Sequence, residues 1–201
     1  SLSLGNNKYV NDLGTGNNSD KDVWKSIFNL SFDSRDDKLG GGINYGSFGL
    51  TLARIDLTDN PSNWSTDQAG ADNNGRNFKG TLNLNRLNKL TSKTNMLLKF
   101  NGQLAADNLD GADQLSLGGP SAVRAYPSNE AAGDSGFIAS VELKRNLFKN
   151  IESMLFYDYG KIKLHKKLWN DWNSTNTGLK NNYHLQGYGV SLGIPIFNNF
   201  N

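Results

Sequence analysis

The sequence has no cysteine, which excludes a disulfide framework and thiolate metal sites. No apolar run approaches the ~20 residues that a membrane-spanning helix needs. Ser1-Leu2-Ser3-Leu4 reads as strand, not as the basic and then apolar pattern of a signal peptide, so the chain is expected to be a piece of a longer one. No block of like charge marks a nucleic-acid surface: 21 basic and 19 acidic residues are spread along the chain, for a net charge of +2. Apolar residues are scarce as well, at 36%, with a mean hydropathy of −0.57. Disorder does not follow, because disordered chains are poor in aromatic residues and here those make up 10%. What remains is all-β structure with one apolar and one polar face per strand, in a sandwich or in a barrel with a wet lumen.

Alternation of period two runs the length of the chain, which is the strand signal. Phe28, Leu30 and Phe32 alternate with Asn29, Ser31 and Asp33, and Leu82 and Leu84 with Asn83 and Asn85. Met96, Leu98 and Phe100 share one face, with Lys99, Asn101 and Gln103 on the other. Phe137, Ala139, Val141 and Leu143 oppose Ile138, Ser140, Glu142 and Lys144; Tyr188, Val190, Leu192 and Ile194 oppose Gly187, Gly189, Ser191 and Gly193. The spacing predicts strands at 1–10, 22–33, 42–57, 77–90, 94–105, 135–147, 151–164 and 183–197. They exceed the ~5–6 residues usual in soluble proteins and suit the ~9–11 of a tilted membrane strand. Their connections, about 11, 8, 19, 3, 29, 3 and 18 residues long, alternate long and short, as in an up-and-down outer-membrane barrel with short periplasmic turns and longer extracellular loops. Trp64, Trp169 and Trp172 fall in long connections and Trp24 beside one. An extracellular aromatic girdle would lie there, although tryptophan also sits at strand ends generally.

Residues 114–147 combine Gly118-Gly119, the run Val123-Arg124-Ala125-Tyr126 and Gly133-Asp134-Ser135-Gly136 leading into an alternating strand. Farther on, Phe156-Tyr157-Asp158-Tyr159-Gly160 reads F-x-D-x-G, with Phe156, Asp158 and Gly160 on one face. A lipid-facing aspartate is expensive, so that face is assigned to the lumen.

In order, spacing and content these motifs resemble the haemolysin-activator type of two-partner secretion transporter (TpsB), over essentially all 201 residues. The resemblance implies an antiparallel up-and-down transmembrane β-barrel of sixteen strands, of which about eight, roughly the seventh to the fourteenth, lie in 1–201. The early strands, the last strands and periplasmic POTRA domains would lie outside this partial barrel domain. It implies that 106–134 is a long loop folded back into the pore, with Val123, Arg124, Ala125 and Tyr126 at its tip and Phe156, Asp158 and Gly160 on the barrel wall. Arg124 is then expected to meet Asp158, since a guanidinium matches a carboxylate bidentately. Glu142, on the same wall, is a further candidate partner, with generic pore lining as its alternative. Ala125 stands where the family usually has glycine. If that glycine needs φ > 0, alanine is strained there; otherwise the position takes both.

The function so implied is transport, not catalysis: an outer-membrane pore exporting a secreted partner protein of the TpsA type, a haemolysin or an adhesin. Membrane lipid is the other expected partner; no nucleic acid, small-molecule substrate, cofactor or metal is expected. Asp107, Asp110 and Asp113 lack the alternate-residue oxygen ligands and glycine turn of a calcium loop. His165 and His184 have no paired nucleophile. The glycines of 187–193 mark either close approach of another backbone or eased strand curvature. Two other readings stay open. One is an assembly insertase of the same superfamily, distinguished by its POTRA repeats. The other is a soluble cell-surface β-sandwich binding module, in which the apolar faces would pack between two sheets. A small closed eight-stranded barrel would be filled by its own side chains, leaving no room for a loop as long as 106–134.

Overall fold

A computed structural model describes residues 2–11, 19–58, 61–148 and 151–193. Its strands are β1 (Leu2–Asn11), β2 (Ser19–Asp36), β3 (Gly42–Asp56), β4 (Gly75–Lys89), β5 (Thr94–Ala105), β6 (Leu115–Ser116), β7 (Ala132–Gly133), β8 (Ser135–Asn146), β9 (Glu152–Lys163) and β10 (Asn182–Gly193). Eight form one antiparallel sheet in the order β1-β2-β3-β4-β5-β8-β9-β10, a meander of sequence neighbours. The remaining pair, β6 and β7, closes a small ribbon inside 106–134. All eight expected strands are present. β2 is longer than its apolar alternation, and the last residues expected in β10, 194–197, lie outside the described residues.

One element was not anticipated. The connection after β3 holds a short helix, α1 (Pro61–Ala69). Proline presets φ at its first position and Gly70 follows its last, the usual start and stop signals.

Cross-strand register carries each face across the sheet. Asp158 lies opposite Ser140, Ser140 opposite Lys99, and Lys99 opposite Asn85, so these share one face. Asn29, Asn83, Gln103, Glu142 and Ser191 fall on that face by the same count, and the 106–134 loop lies against it. The other face is bare: Phe28, Leu30, Phe32, Leu84, Val141, Leu143, Val190 and Leu192 are exposed, with Leu82, Met96, Leu98 and Phe100 among them. Ile194, expected with this set, lies outside the described residues. A sandwich would bury these apolar side chains under a second sheet. Here they face outward.

The bare face is apolar only along the middle of the strands. On β4, Phe78, Gly80, Leu82 and Leu84 lie between Arg76 and Arg86; on β3, Gly46, Phe48, Leu50 and Leu52 lie between Asn44 and Arg54. The ten-residue step from Arg76 to Arg86, at about 3.4 Å per residue and a tilt of about 40°, spans about 26 Å. An outer-membrane barrel carries an apolar band of about 25 Å. Beyond both ends the pattern inverts. Towards the long connections Val23, Ile55, Ile162 and Leu185 point inward and are buried, while Arg54, Arg76 and Lys161 point outward. Towards the short ones Leu87 and Leu97 point inward, while Asp36, Asn44, Arg86 and Asn88 point outward.

Candidate functional site

The inner face and the loop enclose the buried cluster Leu117, Val123, Ile138, Ile162 and Leu185. The loop reaches it from a base that is pinned by polar groups. Asp134 is fully buried; its Oδ1 accepts from the Leu109 N–H (3.1 Å) and Gln114 Nε2 (2.9 Å), and its Oδ2 from the Lys166 N–H (2.7 Å). Asn108, also buried, donates to the carbonyls of Ala71 (2.7 Å) and Lys167 (2.9 Å) and accepts from the Lys167 N–H (2.8 Å). One amide therefore ties three long connections together. Asp113 pairs with Lys25 of β2 (2.7 Å) and Lys79 of β4 (3.0 Å), and Asp110 with Lys21 (2.6 Å). Burial disfavours charge on Asp113, but the hydrogen bonds and charges of the two lysines outweigh it and hold the carboxyl below its usual range. The acidic triplet 107, 110 and 113 is thus a set of ion-pair anchors, Asp107 with Lys167 completing it.

At the tip the chain closes on itself. The Val123 N–H donates to the Leu117 carbonyl (2.9 Å) and the Gly119 N–H to that of Tyr126 (3.1 Å). This closure drives Val123 into the apolar cluster, with Tyr126 packed beside it, and turns Arg124 to the wall. Arg124 and Asp158 meet bidentately: Nε to Oδ2 at 2.8 Å and Nη2 to Oδ1 at 2.7 Å. The Arg124 backbone N–H adds a third bond to Oδ2 (3.1 Å), and Ser140 Oγ donates to Oδ1 (2.6 Å). Nη1 lies 2.9 Å from Glu142 Oε1, which also takes the Lys99 ammonium at 2.7 Å. The guanidinium is stacked 3.8 Å over the Phe156 ring. Asp158 is fully buried and Glu142 nearly so. Hydrogen bonding to Asp158, then the charges of Asp158 and Glu142, raise the Arg124 pKa above its ordinary value against the opposing effect of burial.

Two wall glycines make room for the tip. A Cβ on Gly160 would stand 2.6 Å from Leu117 Cδ2, and one on Gly187 would stand 2.7 Å from Ala125 Cβ. Of the two meanings left open for the glycines of 187–193, close approach therefore holds for Gly187. Ala125 is not strained: the non-glycine residues with positive φ among those described are Leu39, Asp72, Asn129 and Asp171.

The structure thus brings Val123 and Arg124 of the loop against Phe156, Asp158 and Gly160 of β9, sets Ala125 against Gly187 of β10 and packs Tyr126 on the apolar cluster, with Glu142 a direct partner of Arg124. Sequence reasoning passed over Ser140, Lys99, Asn108 and Asp134. Ser140 and Lys99 lay in plain view on the lumenal face of their strands. For Asn108 nothing local distinguished it from the many other asparagines. Beside the tip, a cavity of about 180 Å³ lies between Pro120, Ser121 and Ala122 of the loop and the polar Asn83, Asn85, Lys99 and Asn101 of β4 and β5. At the long-connection end His165 packs edge-on against Trp169 and Trp172, with ring centroids at 4.6 and 5.8 Å. Burial lowers its pKa, with Asp134 opposing.

The family model described as haemolysin secretion/activation protein ShlB/FhaC/HecB matches residues 48–191, a span that contains both motifs. The heme/hemopexin transporter protein HuxB of Haemophilus influenzae strain Rd is 35% identical over 99 residues, which are 47% of this chain and 17% of that protein. HuxB of strain 86-028NP is 35% identical over 97 residues, 46% of this chain and 16% of its own length. The chain spans about a sixth of the length of these curated relatives.

Proposed function

The chain belongs to the haemolysin secretion/activation family of ShlB, FhaC and HecB, and from that premise we propose that it forms part of the wall and the inner loop of an outer-membrane pore exporting one secreted partner protein. The observation that carries this reading is the Arg124–Asp158 pair, made between the loop and the polar face of a sheet whose opposite face is a bare apolar belt. A loop held on the lumenal wall by charged and hydrogen-bonded contacts, beside a polar strip of Asn83, Asn85 and Asn101, suits a conduit for an unfolded chain. Such a chain needs hydrogen-bonding partners for its backbone and no apolar surface on which to stick. No bond chemistry is required of this arrangement. Strands outside 1–201 would complete the barrel, since a sheet spans lipid only when its edges are closed.

The partner is a TpsA-type protein in this reading. Its class, haemolysin or adhesin by the family's pattern, gains a haem- or hemopexin-binding option from the name of HuxB. The test is export itself. Deleting the gene should leave the neighbouring large secreted protein inside the cell, and the full-length transporter should restore it to the medium. Undiminished release without the transporter would refute the proposal, and assembly defects across unrelated outer-membrane proteins would favour the insertase alternative.

A further inference from the structure

The two ends of the apolar belt treat their arginines differently. At the short-connection end Arg86 is neutralised within the protein: Nη1 and Nη2 reach Asp36 at 2.7 and 2.8 Å, and Asn44 and Asn88 accept at 2.6 and 2.7 Å. At the long-connection end Arg54 of β3 lies directly opposite Arg76 of β4 in the register, and both are exposed. Among the described residues neither makes a side-chain hydrogen bond or ion pair. Asp22 and Asp56, on the same face, stand one row closer to the loops; Asp56 accepts from the N–H (3.0 Å) and hydroxyl (2.5 Å) of Thr58, and the Arg54 charge acts on it without forming an ion pair. Like charges directly opposed on neighbouring strands destabilise a sheet. At the margin of lipid, where water is scarce, the cost rises. An anion from outside the protein would remove it.

The surroundings say which anion. A cleft of about 620 Å³ opens on the outer face beneath the two guanidinium groups, with Trp24, Leu52 and Phe78 along it. Its upper rim carries Arg54 and Arg76, together with Asp107, whose carboxylate is engaged by Lys167, and its floor is apolar. One strand over, at the level just below Phe78, a second groove of about 390 Å³ runs along Phe48, Leu82, Leu104 and Phe137, where Gly80 and Gly102 leave the surface notched. A soluble anion would use the rim and leave the floor empty. An anionic lipid uses both. We propose that this cleft binds the phosphorylated headgroup of an outer-leaflet glycolipid of the lipid A type, with a phosphate held by Arg54 and Arg76 and acyl chain lying along Leu52 and Phe78. Planar guanidinium groups recognise phosphate bidentately, and Trp24 sits at the interfacial level where indole rings are favoured. The assignment rests on the outer-membrane reading, because only that reading puts this face in lipid and the long connections outside the cell.

The experiment uses the full-length transporter, wild type and Arg54→Gln/Arg76→Gln, each recovered from the outer-membrane fraction. Native mass spectrometry then follows titration with bis-phosphorylated lipid A, with dephosphorylated lipid A and with inorganic phosphate. Lipid A should bind the wild type, and about tenfold more weakly once charge-assisted bonds are lost, either through the double substitution or through dephosphorylation. Equal binding by both proteins, or indifference to the lipid's phosphates, overturns the site. Inorganic phosphate binding as tightly as lipid A overturns the glycolipid assignment. A wild-type protein absent from the outer membrane sinks the transporter reading along with the site, whereas an outer-membrane protein that binds lipid A no better than its double variant sinks the site alone.

Discussion

Arg124→Ala removes the guanidinium from Asp158, Ser140 and Glu142 at once, together with its stacking on Phe156. Breaking a buried ion pair from one side costs ~3–5 kcal/mol, because the remaining charge is stranded. Asp158 is not wholly stranded: Ser140 Oγ still donates at 2.6 Å, and so does the backbone N–H of residue 124 (3.1 Å) if the tip stays in place. The lower end, about 3 kcal/mol, is therefore expected, which shifts the ratio of docked to undocked tip on the order of a hundredfold. Hydrogen exchange of the full-length transporter in lipid nanodiscs reads that ratio directly. The amides of Leu117, Gly119 and Val123, bonded within the closed tip, should lose protection by that factor while the strand amides keep theirs. Export of the partner should fall while the amount in the membrane stays near normal. Unchanged exchange at those amides would refute the reasoning.

A charge reversal at both positions is a poorer test than the pair alone suggests. Glu142 stands 2.9 Å from Arg124 Nη1, so a carboxylate introduced at position 124 meets it, and rescue would be partial even for a true pair. The alanine cycle avoids this. Arg124→Ala with Asp158→Ala should cost less than the two singles added, by about 1–3 kcal/mol, and additivity to within ~0.5 kcal/mol would show the two residues to be uncoupled.

Gly187→Ala places its Cβ 2.7 Å from that of Ala125 and should loosen the tip; adding Ala125→Gly should restore exchange protection, and failure to restore it would put the strain elsewhere. Asp134→Ala strands three donors in a buried site at ~1–3 kcal/mol each before relaxation, so proteolysis should nick both 106–116 and 164–170. Protection of one segment but not the other would mean that they are held independently. The pH responses should differ in the same molecule. His165 has a lowered pKa, so its neutral form is favoured by folding; that stability is full above its ordinary value of 6.5 and is lost as pH falls below it. Protection factors in 164–181, taken relative to the intrinsic exchange rate at each pH, should fall as pH drops from about 7.5 to 5.5. Asp113 has a lowered carboxyl pKa, so its contribution is full above the ordinary 3.8 and lost only as pH falls through its lower folded value. The Lys25–Asp113–Lys79 anchor should persist at pH 5, checked by exchange at 109–114.

Strands were legible because the belt is one-sided. Over 78–84 the outward positions are Phe78, Gly80, Leu82 and Leu84 and the inward ones Lys79, Thr81 and Asn83, so alternation is clean. Legibility ended where the two environments change. Val23, Ile55 and Ile162 are apolar yet inward, because there the inner face is covered by the loop instead of water. A period-two rule that assigns apolar residues to lipid misplaces them. The meeting of Arg124 with Asp158 came from motif resemblance, not from periodicity, since no local rule joins residues 34 apart. Asp134 and Asn108 escaped because their partners are mostly backbone groups of other connections, which carry no sequence signature. The ribbon β6–β7 is too short for any period to show, and α1 has no apolar stripe because none of its residues is buried.

The loop is held by two kinds of force, and their distribution bears on how such a pore can open without losing its loop. Its base is fixed by Asp134 and Asn108, buried groups satisfied by backbone of other loops, and by three lysine–aspartate anchors. Releasing the base would expose these groups unpaired, with nothing in a passing chain placed to replace them. The tip's outermost grip is different. Arg124 retains a side-chain exposure of 19% and faces the polar strip of β4–β5. Water or the backbone of a translocating polypeptide can take up the hydrogen bonds it gives, and Lys99 stays behind to satisfy Glu142. Apolar burial of Leu117 and Val123 is then what the tip must give up. At roughly 1.5–3 kcal/mol per side chain this is comparable to the salt bridge itself. A lifting tip on a fixed base is therefore the cheaper movement, and the two hold points predict its boundary: Arg124→Ala should raise exchange across 117–126 and leave 106–114 protected, whereas Asp134→Ala should expose both. If Arg124→Ala frees the base as well, the loop moves as one body and the division argued from these contacts is wrong.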